Sequence, residues 1–313
     1  MPWTTDDLVA AVKRKGQTPT GGFQLTDAQI LDIAFEATTK RYIPAIRGVR
    51  EDFFTTFEAI PLVSGTASYR LPKRASSTTI KQVMLIDNTS GRACVVPRLP
   101  VSQGYRGLGL STSAPYSYVI EGAQIRFLGT PNNVSTYTAR VYYQRRPSRY
   151  VTSTAGTASS IVASVTATTI VLTGAPAWWA SGEQLDVMSP EPEADLLMQD
   201  VAVTLVGSTF TITDGTSTAQ VTAGDYVAER DTTPIVLLPD AFMHSLIDAT
   251  TAECLRSIGD YDAAASLEAG VAADLPNLLA SIATRAESQP LPIRNSNAGL
   301  YQRGRGYVGG WNT

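Results

Sequence analysis

His244 is the one histidine of the chain, so it is the first residue to ask for catalysis. Asp240 and Asp248 stand four residues to either side and share a helical face with it, and Ser245 is its neighbour. A hydrolase triad would need the serine to face the imidazole. Adjacent helical residues do not face each other, so Ser245 looks away and no triad forms. A metal site fails as well, because one imidazole and two carboxylates from a single helix lack the further ligands and spacing of zinc motifs. His244 is therefore expected at the exposed edge of a helix bundle. Glu191, Glu193, Asp195 and Asp200 form the densest acidic cluster. They lack the glycine-turned loop of an EF-hand and read as a solvated loop.

Gly104-Tyr105-Arg106-Gly107-Leu108-Gly109 has glycine spacing suggestive of a phosphate loop, but the phosphate-binding lysine is missing and Ser-Thr-Ser-Ala-Pro follows instead of a helix. It reads as a flexible loop. Cys94 and Cys254 stand apart, outside any Cys-x-x-Cys pair, and two buried thiols are expected. No catalytic, cofactor-binding or metal-binding set emerges, so no enzyme and no cofactor are expected. Trp178-Trp179 suggests a sugar-stacking platform, and equally a hairpin core or a subunit contact.

The remaining chemistry is electrostatic. Lys13-Arg14-Lys15, Lys40-Arg41, Arg47 with Arg50, Lys73-Arg74 and Arg145-Arg146 with Arg149 are basic clusters, but no recognition-helix pattern accompanies them. A protein-facing or solvated role is expected. The formal net charge of −3 hides an asymmetry: residues 1–150 hold 19 Lys+Arg against 10 Asp+Glu, whereas residues 151–239 hold 1 against 10. Such a pair of regions fits a nucleic-acid site beside a solubilising domain, or two faces that attract each other between subunits.

The elements that must position these residues fall into blocks. With 43% hydrophobic and 17% charged residues, the 313-residue chain is neither disordered, collagen-like nor coiled-coil. The longest apolar runs, such as Ile235 to Leu238, are far shorter than the ~20 residues of a membrane-spanning helix. The polar, acidic start Met1–Asp7 lacks the pattern of a secretory signal, and folding in a cytoplasm is expected. Thr4 to Gly16 predicts a capped helix, and Thr26 starts a second through Leu25–Ile46, ended or kinked by Pro44.

From Phe53 the texture becomes β-branched and aromatic. Strands are expected at Phe57–Val63, Ala67–Leu71, Thr79–Ile86, Cys94–Leu99, Tyr116–Glu121, Gln124–Leu128 and Tyr137–Arg145, with a hairpin turn at Glu121-Gly122-Ala123-Gln124. Beyond the Thr/Ser-rich stretch 151–164, Thr169–Thr173 with Gly182–Val187 is echoed by Thr209–Thr213 with Gly224–Val227. Two similar hairpins in one small barrel or sandwich are expected, with Pro190–Asp195 running into one helical turn or a loop at Leu196-Leu197-Met198.

Asp240 is expected to cap a helix to about Ile258, and Gly259-Asp260 punctuates before another at Tyr261–Ala283, bent by Pro276. The fold class is therefore α+β: N- and C-terminal helices form a bundle around antiparallel β insertions that include a small barrel or sandwich. The expected units are 1–56, 57–150, 151–239, 240–285 and an extended C-terminal arm, 286–313.

Leu25-Thr26-Asp27-Ala28-Gln29-Ile30-Leu31 through Tyr42-Ile43-Pro44, then Val49-Arg50-Glu51-Asp52-Phe53 and Ile60-Pro61-Leu62-Val63 through Lys73-Arg74-Ala75, resemble the head-to-tail adaptor (connector) proteins of tailed bacteriophages. The resemblance implies a structural virion protein of the capsid–tail neck, assembled in the host cytoplasm as a ring of typically twelve copies below the portal. Its implied partners are the portal protein, a tail or nozzle protein and other copies of itself. Double-stranded DNA would pass through the channel without sequence-specific binding, and no membrane is involved. Arg294, Tyr301, Arg303, Arg305, Tyr307 and Trp311 would anchor a portal-docking arm. Lys40, Arg41, Arg47, Arg50, Lys73 and Arg74 would form a basic inter-subunit face. Trp178, Trp179, Glu191, Glu193 and Asp195 would belong to a tail-facing or exterior insertion. The competing expectation is a carbohydrate-binding or adhesive β protein.

Overall fold

The computed structural model describes residues 3–16, 25–50, 52–104, 111–112, 114–131, 137–190, 196–213 and 218–286. Helix α1 (Thr5–Lys15) starts in a capping box: Thr4 Oγ1 accepts the Asp7 N–H, and the Asp7 carboxylate accepts the Thr4 N–H. Helix α2 (Asp27–Ala37) opens the same way, with Thr26 and Gln29 as the reciprocal pair. The helical path does not end at Pro44. It runs through a π turn, Thr38–Tyr42, into α3 (Ile43–Val49), where Pro44 sits in the first turn. There the missing N–H costs no helical hydrogen bond, so the irregularity lies ahead of the proline.

Residues 55–150 supply β1 (Thr55–Pro61), β2 (Ser68–Arg70), β3 (Ala75–Asp87), β4 (Ala93–Val96), the one-turn α4 (Val101–Gly104), β5 (Ser111–Thr112), β6 (Ser117–Glu121), β7 (Gln124–Leu128), β8 (Thr130–Pro131), β9 (Tyr137–Arg145) and β10 (Arg149–Tyr150). Strands β1-β9-β3-β4 form an antiparallel sheet, and β2-β7-β6 a smaller one. Pro61 closes β1, an edge strand, where a missing donor is tolerated. The hairpin β6–β7 turns at Gly122, whose φ of +61° suits glycine. Val83, Leu85, Val141, Tyr143, Ile125 and Phe127 fill the core between the two sheets.

The middle segment closes on itself. Strands β11 (Ser159–Val165), β12 (Thr169–Thr173), β13 (Gln184–Met188), β14 (Leu196–Val206), β15 (Thr209–Ile212) and β16 (Tyr226–Glu229) make a six-stranded barrel in the order β11-β12-β15-β14-β13-β16. The two repeats do not form hairpins of their own. Thr169–Thr173 pairs with its echo Thr209–Ile212, and Gln184–Met188 with Tyr226–Glu229, so closure is made between the repeats. Leu196-Leu197-Met198 opens the longest barrel strand rather than a helical turn, because Met198 and Val201 face the barrel core.

Two linkers join the barrel to the rest: β10 lies parallel to β17 (Thr232–Thr233). The start of α1 holds both, since Thr5 Oγ1 donates to the carbonyls of Val151 (2.5 Å) and Pro234 (3.1 Å). Asp240 does not cap a helix by its side chain; Asp240–Phe242 is a 3₁₀ turn leading into α5 (Met243–Ser257). Asp260 does cap, accepting the Ala263 N–H at the start of α6 (Tyr261–Ala286), which continues past Pro276. Helix α5 packs on α1, α2 and α6, and α3 packs on α6. Leu8, Val12, Ile30, Ala34, Ile46, Phe242 and Leu246 form their common core. No described helix is long and apolar enough to cross a membrane.

Candidate functional site

The densest chemistry lies where the barrel meets the larger sheet. Arg74, just after β2 and Pro72, is 1% exposed. Its Nη2 meets Asp186 of β13, its Nη1 donates to Ser148 Oγ at 2.9 Å, and its Nε lies 3.2 Å from Asp231. Asp186 is itself fully buried and also accepts the backbone N–H groups of Asp200 and Asp231, each at 2.9 Å. Both donors sit in the left-handed region, at φ of +52° and +64°, which few residues other than glycine adopt. Burial pushes the Asp186 carboxyl up to about 6, while Arg74 and the two backbone donors pull it down.

A cleft of about 400 Å³ opens beside this junction, lined by Glu58, Lys73, Tyr143, Gln199 and Asp200, with Phe57 among its walls. Among the described residues the buried Asp200 carboxylate accepts no hydrogen bond and is balanced by Arg230 at 3.0 Å and Lys73 at 3.7 Å. Burial, then the Asp200 charge, raises the Glu58 carboxyl above its ordinary range, against the pull of Lys73. Tyr143 donates to Gln199 at 3.2 Å, and burial raises its phenol. Every strong group here is used against another group of the same chain. The arrangement is a clamp between two β units.

The clamp revises the expected basic face. Arg74 drops out of it, because the guanidinium is buried and paired in cis, and Lys73 faces Asp200 of its own chain. Three acids of 151–239, Asp186, Asp200 and Asp231, thus serve the sheet of their own chain. Lys40 pairs with Glu36 at 2.9 Å and Arg50 with Asp52 at 3.3 Å. Arg47 donates to the Arg145 carbonyl at 3.0 Å and lies over the Phe54 ring, and burial lowers its pKa. Arg41 is half-buried and lines a second cavity, about 470 Å³, between α2 and α5.

His244 is exposed, as expected. Ser245 turns inward to share a 2.8 Å hydrogen bond with Tyr42, and Asp248 pairs with Lys15. Among the described residues no three His, Cys, Asp or Glu side chains gather to hold a metal ion. Cys254 is buried, with its thiol pushed up to about 12 by burial; Cys94 is exposed on β4, contrary to the expectation of two buried thiols. Trp179 is 5% exposed inside the barrel and Trp178 is 51% exposed, their rings edge-on at 6.0 Å. One buried ring and one perpendicular exposed ring make no flat two-ring platform for a sugar. Glu191, Glu193, Asp195, Arg294, Tyr301, Arg303, Arg305, Tyr307, Trp311 and most of the Gly104–Gly109 loop lie outside the described residues.

The family model of the SU10 adaptor protein matches residues 3–175, more than half of the chain. The chain belongs to the SU10 adaptor protein family. The matched stretch runs from the start of α1 through both sheets to the end of β12; the rest of the barrel and helices α5 and α6 lie beyond it. The family is one of structural bacteriophage adaptors and not a class of enzymes. No curated protein matches the chain. Sequence reasoning missed Glu58, Asp186 and Asp231 as partners of Lys73-Arg74. For Asp186 and Asp231 the signal was present: in a segment with ten acids and one base, a buried carboxylate must draw its cation from elsewhere.

Proposed function

We propose that the chain is a head-to-tail adaptor whose copies assemble as a ring beneath the portal, join capsid to tail and surround the DNA channel. The observation that carries this reading is the SU10 adaptor match over residues 3–175. Twelve copies is the expected number. In this reading the helices of 1–56 and 240–285 act together as a bundle, 57–150 and 151–239 are its β units, and the acidic barrel faces the tail or the exterior. A mildly acidic chain suits a channel wall along which phosphate must slide rather than bind. Lys40 and Arg41 are the basic residues best placed for an inter-subunit contact, beside the cavity between α2 and α5.

The segment 286–313 docks the portal, with Tyr301, Tyr307 and Trp311 as aromatic anchors and Arg294, Arg303 and Arg305 seeking acidic partners. Deleting 286–313 is expected to abolish co-sedimentation with the purified portal while leaving the thermal melt unchanged. Undiminished co-sedimentation of the truncated chain would refute the docking role.

A further inference from the structure

The outer face of the sheet β1-β9-β3-β4 breaks the pattern of a solvated surface. An antiparallel sheet with one face in water carries polar side chains there. Here the register sets Ala59, Arg140, Met84 and Val95 in one row across the four strands, and Phe57, Tyr142 and the exposed Gln82 in the next. Val95 is 57% exposed and Phe57 48%. The Phe57 and Tyr142 rings lie 5.5 Å apart, and the Arg140 guanidinium lies 5.0 Å over Phe57. Arg140 is the single charge among the seven, and its stem and plane cover apolar surface instead of interrupting it. Aromatic, aliphatic and Met side chains around one arginine and one glutamine, without Lys, Asp or Glu in these two rows, are the composition of an interface centre. Both edges of the sheet, β1 and β4, pair with no further strand among the described residues.

We propose that this face receives a second copy of the chain, which lays its acidic barrel against it so that Arg140 meets a barrel carboxylate. The proposal rests on the ring reading above. Charge selects the occupant: residues 151–239 hold ten acids and one base. Asp186 and Asp200 are used in their own clamp, whereas Glu229 is exposed and Glu183 half-exposed, neither with an ion-pair partner among the described residues. A sheet face on one copy against a barrel on the next is a heterologous contact, the kind that closes into a ring.

Full-length chains carrying p-benzoylphenylalanine at Ala59 or at Val95, made in cells that also produce the portal and then irradiated, test this contact. The expected product is an adduct of twice the chain mass whose cross-linked peptide falls within 151–239. Arg140→Glu is expected to reduce that adduct at least tenfold with an unchanged thermal melt; if Arg140→Glu does not fold, Arg140→Gln gives the same comparison. An adduct to a different protein, an adduct mapping outside 151–239, or no adduct from chains that do assemble by mass would overturn this contact and leave the ring standing. Chains that never assemble, alone or with the portal, would overturn the ring and this contact with it.

Discussion

Asp186 is the residue on which the two β units are pinned. Its carboxyl, pushed up to about 6 from an ordinary 3.8, holds its proton more tightly in the folded chain than in the unfolded one. This group therefore favours folding most below about pH 4, and that contribution is lost as the pH rises through about 6. At pH 7 the carboxylate and Arg74 hold each other, and removing one partner leaves the other charge buried. Asp186→Asn is expected to cost about 3–5 kcal/mol at pH 7. Asp32→Asn, which opens only the exposed pair with Arg149, should cost about 1 kcal/mol or less. Urea midpoints compare the two directly, and equal losses would contradict the clamp.

Tyr150 is the second buried pin: it accepts the Leu237 N–H at 3.2 Å and shares a 3.1 Å hydrogen bond with Thr38. Burial pushes its phenol up to about 12. Its contribution is complete below pH 10 and lost between about pH 10 and 12. Tyr150→Phe should cost about 1–3 kcal/mol, by stranding the Leu237 N–H, and should flatten stability across that alkaline window. An unchanged alkaline slope in the variant would contradict this.

At the scale of elements, what was legible in the sequence followed from local physics. Thr4 and Thr26 announced their helices through side chains that satisfy the first free N–H groups, and Gly122 announced its hairpin through a backbone angle only glycine takes easily. The path through Pro44 was not legible, because a π turn leaves no mark in the apolar spacing. The barrel was visible as a repeat but its pairing was not. Which of two equivalent strands pairs with which depends on closure, a property of all six strands together. The Arg74 clamp was hidden for the same reason: 112 residues separate it from Asp186.

Trp178-Trp179 likewise gave its types but not its division of labour. Because Trp179 lies among Leu185, Val203 and Phe210 in the barrel core, Trp179→Ala should cost about 3–5 kcal/mol. Trp178→Ala, which removes a half-exposed ring and its 3.1 Å hydrogen bond to the Thr157 carbonyl, should cost about 1 kcal/mol. Separate thermal melts of the two variants check this, and a costlier Trp178 would reverse the assignment.

At the scale of the whole molecule, the chain pairs Asp186, Asp200 and Asp231 with its own arginines and lysine, yet the described residues leave an apolar sheet face and acids of the barrel surface uncovered. Family membership was legible in the residues from Leu25 to Ala75, and the matched family spans that stretch. The uncovered face was not legible, since only the register of four strands brings Phe57, Met84, Val95 and Arg140 together. The most direct test of the adaptor reading is the mass of the purified full-length chain in solution, alone and mixed with its portal. The expected result is a ring of about twelve copies, formed either alone or only when the portal is added. A chain that stays monomeric and does not bind the portal would contradict the adaptor reading.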